Sequence, residues 1–318
     1  MKAVVQERYG SPDGLVLREI ERPAVADDRV LVRIRAASVN ASDWHLMRRF
    51  PHLIGKLLGM PSSRVRGTDL AGQVEAVGRN VTRLKPGDEV FGAGTGSFAE
   101  YATALEDRLA PKPRNLTFAQ AAAIPGAGCT ALQGLRDKGR VEPGQRVLIY
   151  GAGGGVGTFA VQIAKVLGAN VTAVSSPGNV DLLRSIGADE VIDYTREDFT
   201  KRGERYDVLF DVGSDRSFAE CRRALAPNGR CVLVGAPAAV WKALWRLLEM
   251  QVMPGRDTGR IAFMTRVTHD DLVVLKDLAE AGKIRPVIDR EYPLSGTADA
   301  IRRVGTRQVR GKAVIVVS

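Results

Sequence analysis

The sequence predicts an α/β protein of two domains, a β-rich unit and a doubly wound parallel sheet. Length is the first indication, because 318 residues exceed the ~150 expected of one domain. A change of style near Pro125 is the second. Before it, short β-branched segments such as 30–36 and 72–77 are separated by Gly or Pro clusters at 10–14, 86–88 and 92–96. The third lies beyond Arg146, where short apolar runs alternate with helical stretches, the pattern of right-handed βαβ units.

Each element has its own signal in the chain. Strands are expected at 146–150, 171–175, 190–193, 206–212 and 230–235, with helices at 155–167, 180–185 and 217–225. VLIY and CVLVG are apolar throughout, and VLFDV is so apart from Asp211, as expected of strands covered by helices on both faces. An amphipathic helix at 270–281 ends at Gly282, a second helix falls near 296–304, and a final strand at 313–317 pairs back into an earlier sheet.

Composition narrows the classes. Apolar residues make up 45% and charged residues 26%, a balance that excludes disorder. Apolar stretches break well before the ~18 residues of a membrane span. The charged opening MKAVVQERYG has no signal-peptide core, so a cytoplasmic protein is expected. Cys129, Cys221 and Cys231 have no CxxC spacing, which excludes a disulfide scaffold and a four-cysteine zinc site. The net charge of +10 attracts anions, but the basic residues are spread along the chain. A phosphate-bearing cofactor accounts for it better than nucleic acid does.

The strongest chemical signal is RVLIYGAGGGVGTFAVQIAKVLGA at 146–169. A strand runs into Ala152-x-Gly154-x-x-Gly157 and a helix comes next. Gly154 admits backbone approach to a pyrophosphate, and Gly157 lets the helix pack closely on the sheet. Gly151, Gly154, Gly155 and Val156 form the expected dinucleotide cradle, with free amides and the positive helix end facing the phosphates. Val212 and Gly235, at two later strand ends, complete it. The second strand ends in Ser175-Ser176-Pro177-Gly178-Asn179, where NAD-binding proteins place an acid on the ribose. An aspartate there would repel a 2′-phosphate by ~4 kcal/mol at ~4 Å and an effective dielectric of ~20. Its absence, with Ser175, Ser176 and Asn179 as neutral partners, favours NADPH over NADH. Tyr194 and the basic tail (Arg307, Arg310, Lys312) are either phosphate contacts or ordinary surface residues.

These segments resemble the zinc-independent medium-chain dehydrogenase/reductases typified by NADPH:quinone oxidoreductases. The resemblance rests on RAASVNASDWHLMR (35–48), GTDLAGQVEAVGRNVTRLKPGDEVFG (67–92), AAAIPGAGCTALQGL (121–135), the glycine loop, GADEVIDY (187–194) and GKAVIVV (311–317). It implies a GroES-like catalytic domain from 1–121 and 266–318, a Rossmann domain at 122–265, NADPH in the cleft between them, and a homodimer. Zinc-dependent relatives carry a Cys within the segment 38–43, a His where Thr68 stands, and a third ligand near Gly126. None survives here, so no zinc is expected. The implied activity is hydride transfer to quinones, enones or related activated carbonyls. Alternatives are a metal-free NADP-dependent alcohol dehydrogenase or aldehyde reductase, and a non-catalytic NADPH- or RNA-binding adaptor.

Asn40 resembles the family residue that contacts the nicotinamide ribose or the substrate. Asp43 and His45 lie on the same segment. His45 reads as a proton donor or as a packed histidine, the latter favoured, with Arg48 and His52 weaker candidates. Thr130 opens the helix that links the domains and is expected at the nicotinamide end. Gly153 replaces a serine common in the motif.

Overall fold

A computed structural model of the chain describes residues 1–8, 10–49, 65–214, 216–235 and 259–317. It divides into two compact units, Met1–Cys129 with Arg266–Ser318, and Thr130–Thr265. In chain order the described strands begin with β1 (Lys2–Gln6), β2 (Leu15–Glu19) and β3 (Arg29–Ser38). After helix α1 (Ala41–Arg49) come β4 (Asp69–Val77), β5 (Glu89–Ala93), β6 (Tyr101–Leu105) and β7 (Leu109–Pro111). Two helices, α2 (Phe118–Ala122) and α3 (Pro125–Leu132), lead to β8 (Arg146–Tyr150). Beyond it lie α4 (Gly155–Val166), β9 (Asn170–Ser175), α5 (Val180–Ser185), β10 (Glu190–Asp193), β11 (Tyr206–Val212), α6 (Phe218–Arg222), β12 (Leu225–Val234) and β13 (Arg260–Ala262). The chain closes with α7 (His269–Glu280), β14 (Ile288–Pro293), α8 (Thr297–Gly305) and β15 (Lys312–Val316).

Among the described residues, the first unit is built on a seven-stranded sheet in the order β14-β15-β3-β4-β5-β7, with β6 also on β3. β15 pairs antiparallel with β3, so the expected return of the last strand into an earlier sheet is observed. The register sets Val314 beside Ser38 and Ser38 beside Asp69. Three strands thus bring Lys312, Ser38 and Asp69 to one end of the sheet. Val32, Ile34, Leu70, Met47 and Ile315 are buried together beneath it. This apolar burial is what holds the strand ends, and hence the polar cluster on them, in one register.

The second unit holds a six-stranded sheet in the order β10-β9-β8-β11-β12-β13, parallel at every pairing described. Between β10 and β11 the chain returns across the sheet, which creates a topological switch between β8 and β11. Helix α6 is shorter than the expected 217–225 because Ser217 and Glu220 form a capping box at its start and the chain re-enters β12 at Leu225. β12 in turn begins five residues before the expected strand. It bends at Asn228, whose φ is 66°, before its regular pairing starts at Arg230.

Candidate functional site

In the second unit, the carboxyl ends of the parallel strands gather the residues picked out by the glycine pattern. β8 ends at Tyr150 and turns at Gly151, whose φ of 73° belongs to the left-handed region that glycine tolerates. A Cβ on Gly151 would sit 2.8 Å from the Val212 carbonyl at the end of β11. Gly151 and Val212 therefore flank the switch point, where open α/β sheets bind their ligands. Gly235 comes after β12 on the same edge, with a φ of 79°.

The cradle itself divides into two kinds of glycine. A Cβ on Gly157 would fall 2.3 Å from the Gly151 carbonyl oxygen and 2.6 Å from the Ala152 Cα, so this residue is required for packing. A Cβ on Gly154 would meet only the Gly151 oxygen, at 3.6 Å. The space in front of Gly154 is open, and α4 begins there with no side chain capping it. The first-turn amides of Gly155 and Val156 thus face an uncrowded opening at the positive end of the helix dipole. That geometry fits a pyrophosphate.

The end of β9 fits the adjoining sugar. Asn179 Nδ2 donates to Ser175 Oγ at 2.8 Å and to Ser176 Oγ at 3.1 Å. Asn179 Oδ1 is buried without a hydrogen-bond partner. A buried acceptor with no donor is rare in a folded protein, and a ribose hydroxyl is a donor of the right kind. Tyr194 is half exposed, and its backbone N–H donates to the Ser175 carbonyl at 3.2 Å. Thr130 and Thr265, 135 residues apart, share a hydroxyl–hydroxyl bond of 2.7 Å that ties the two ends of this unit together.

The first unit holds the other cluster. Lys312 Nζ donates to Asn40 Oδ1 at 2.6 Å and lies 3.7 Å from Asp69 Oδ2. The Asp69 carboxylate also accepts from Ser38 Oγ at 3.2 Å and from the Gly126 amide at 3.1 Å. Thr68 Oγ1 approaches its second oxygen at 3.5 Å. Asp43 Oδ2 accepts from the Asn40 backbone N–H at 2.7 Å. Burial pushes the Asp43 carboxyl up to about 7, against the pull of the Asn40 hydrogen bond, and the nearby Asp69 charge adds to the rise. Burial likewise lowers the pKa of Lys312, while Asp69 and Asp43 oppose the shift.

The sequence reads Lys312 either as a phosphate contact or as an ordinary surface residue of a basic tail. It is neither solvated nor unpaired: its side chain is 3% exposed and its ammonium is committed to Asn40 and Asp69. Asn40 and Asp43 are brought together, the second holding the backbone of the first. His45 lies on α1 and is partly buried, while His52 and the Arg48 side chain fall outside the described residues. Asp69 is the residue that sequence reasoning misses. An acid heading the apolar Leu70-Ala71-Gly72, where strand alternation has not yet begun, is the available signal.

Three donors, one each from Ser38, Thr68 and Gly126, converge on the Asp69 carboxylate. Ser38, Thr68 and the Gly126 amide offer neither thiolate nor imidazole, and each donates to Asp69 instead. Among the described residues no three His, Cys, Asp or Glu side chains stand close enough to hold a metal. This donor set does not fit a catalytic zinc.

Residues 26–114 match the family model described as the alcohol dehydrogenase GroES-like domain, and residues 186–315 match that described as zinc-binding dehydrogenase. The chain is 36% identical over 333 residues to the 2-methylene-furan-3-one reductase of Solanum lycopersicum, covering 99% of this chain and 79% of the relative. It is 35% identical to the chloroplastic NADPH-dependent alkenal/one oxidoreductase of Arabidopsis thaliana, with the same coverage. Among solved structures, the quinone oxidoreductase from Coxiella burnetii superposes with a TM-score of 0.89 at 30% identity, over 100% of this chain and 99% of that one. With the GroES-like and parallel-sheet units both in place, the chain belongs to the medium-chain dehydrogenase/reductases, in their quinone-oxidoreductase-like branch.

Proposed function

We propose that this enzyme is an NADPH-dependent reductase of quinones, enones or related activated carbonyl compounds. The observation that carries the reading is the cradle of the second unit, with its open Gly154 and the unpartnered Asn179 acceptor beside it. The relatives named as an alkenal/one oxidoreductase and a furanone reductase support the substrate class. When bound, NADPH supplies a hydride from C4 of its nicotinamide to the electrophilic carbon.

The residues of this chain do the rest by binding and orientation. The amides of Gly155 and Val156 hold the pyrophosphate, Asn179 accepts from a ribose hydroxyl, and Ser175 and Ser176 leave the sugar edge free of negative charge. Val212, Gly235, Gly151, Tyr194 and Thr130 shape the remainder of the dinucleotide site. Asn40 offers a neutral hydrogen bond at the reacting end, and Asp43 acts through it by fixing its backbone. A quinone or enone takes its proton from water, so His45 is not required as an acid. The enzyme works as a cytoplasmic homodimer in this reading, the assembly being the one the family resemblance implies.

NADPH consumption measured against a panel of quinones, enones and simple aldehydes tests the proposal. Turnover of the first two classes, with a rise in melting temperature on adding NADPH, is expected. Turnover of aldehydes alone, or no response to NADPH in either measurement, overturns it.

A further inference from the structure

Asn40 immediately precedes α1, where an asparagine side chain ordinarily caps the helix by accepting from the amide three residues on. Here the Asp43 amide goes to the Asn40 main-chain carbonyl at 3.0 Å. The Asn40 side-chain oxygen turns instead to the Lys312 ammonium. An ammonium only donates, so the orientation of this carboxamide is settled by its partner: Oδ1 faces the lysine and Nδ2 faces away. Nδ2 has no hydrogen-bond partner among the described residues. Bonding Oδ1 to a cation also polarises the amide and strengthens its N–H groups as donors.

The lysine is held just as firmly. Its ion pair with Asp69 has both side chains almost fully buried, at 3% and 1% exposure. Asp69 in turn is fixed by Ser38 and the Gly126 amide. Burying such a pair is not an economical route to stability, since well-packed apolar side chains serve that end at least as well. The arrangement does have a specific geometric product, a carboxamide that cannot rotate.

We propose that Lys312, anchored by Asp69, is a positioning residue that fixes the Asn40 carboxamide so that Nδ2 donates to an acceptor oxygen of the bound reactants. This rests on the reductase reading above. The acceptor is either the substrate carbonyl or a sugar oxygen of the cofactor, and both accept the same neutral donor.

The test is a double-mutant cycle on the full-length enzyme. Lys312→Met alone strands the Asp69 carboxylate, so the pair is replaced by the neutral Lys312→Met/Asp69→Asn, in the wild-type and in the Asn40→Ala background. Kinetics with NADPH and a quinone, NADPH binding by fluorescence, and thermal denaturation are measured for each. We expect the neutral pair to lower kcat/KM about tenfold in the wild-type background and less than about twofold once Asn40 is alanine. A substrate oxygen as acceptor puts the loss in turnover with NADPH affinity kept, and a cofactor oxygen puts it in NADPH affinity. Equal losses in both backgrounds, or none in either, overturn the proposal. A wild-type enzyme inert toward quinones and enones overturns the reductase reading itself, which is a separate result. In protein labelled with 15N-asparagine, the side-chain signal that Asn40→Ala removes shifts on neutralising the pair. An unmoved signal also overturns the proposal.

Discussion

A Cβ placed on Gly157 would lie 2.3 Å from the carbonyl oxygen of Gly151, closer than any real side-chain carbon approaches a backbone oxygen. The first turn of α4 is thereby pinned to the end of β8. Gly154, three residues earlier, meets only an oxygen at 3.6 Å. Two glycines of one motif therefore have different physical duties, and alanine separates them. Gly157→Ala should destabilise the fold by about 1–3 kcal/mol, read as a lower melting temperature. Gly154→Ala should leave the melting temperature of the ligand-free protein almost unchanged and weaken NADPH about tenfold or more. Equal losses of stability in the two variants would refute this division.

The glycine at position 153 is coupled to Asn179. A Cβ there would fall 2.3 Å from Asn179 Nδ2 and 2.8 Å from Ser175 Oγ. Gly153→Ser, the residue common in similar loops, should therefore lower stability, and Gly153→Ser/Asn179→Gly should recover most of the loss. Melting temperatures of the two variants decide it, and strictly additive effects would count against the contact.

Much of this is legible in the sequence, and the reason lies in how local each signal is. The cradle is written in consecutive residues, because a strand, a tight turn and a helix start within eleven positions. The strand at 206–212 is readable from its apolar run Val208-Leu209-Phe210. The partnership of Lys312 with Asn40 is not, since 272 residues separate them and only the sheet order β15-β3-β4 joins them. Read along the chain, Lys312 is one more charge in a basic tail. The π-helical turn at Gln133–Gly139 is equally hidden, because its composition does not differ from that of an ordinary helix end.

Asp43 makes stability depend on pH. Its carboxyl titrates near 7 in the folded protein against 3.8 ordinarily, chiefly through burial. Between about pH 4 and 7 the folded chain holds a proton that the unfolded chain has released, so stability falls as pH rises through that window and levels off above it. Asp69 reinforces the shift, whereas Lys312 and Arg66 oppose it. Asp43→Asn keeps an acceptor for the Asn40 amide and should flatten the decline in melting temperature between about pH 5 and 7.5. Parallel curves for wild type and variant would contradict the assignment.

The Asp69 cluster predicts indifference to chelation. With Ser38, Thr68 and the Gly126 amide all turned onto one carboxylate, dialysis against EDTA should leave NADPH-dependent turnover within about twofold of its starting value. A loss restored by added zinc would reverse this conclusion.

The placement of β15 has a consequence for synthesis on the ribosome. All six described strands of the parallel sheet lie between Arg146 and Ala262, so their pairing partners have been made before α7 is reached. The other sheet has to wait, because β3 is made early and its neighbour β15 emerges only with Lys312–Val316. Until then β6 covers this edge of β3 only over Arg29–Arg33, and the nascent chain carries an open strand edge at Ala36–Ser38, a place where chaperones or stray strands can attach. The ammonium that orients Asn40 arrives in that same last segment, so the amide gains its fixed direction only when the sheet is closed.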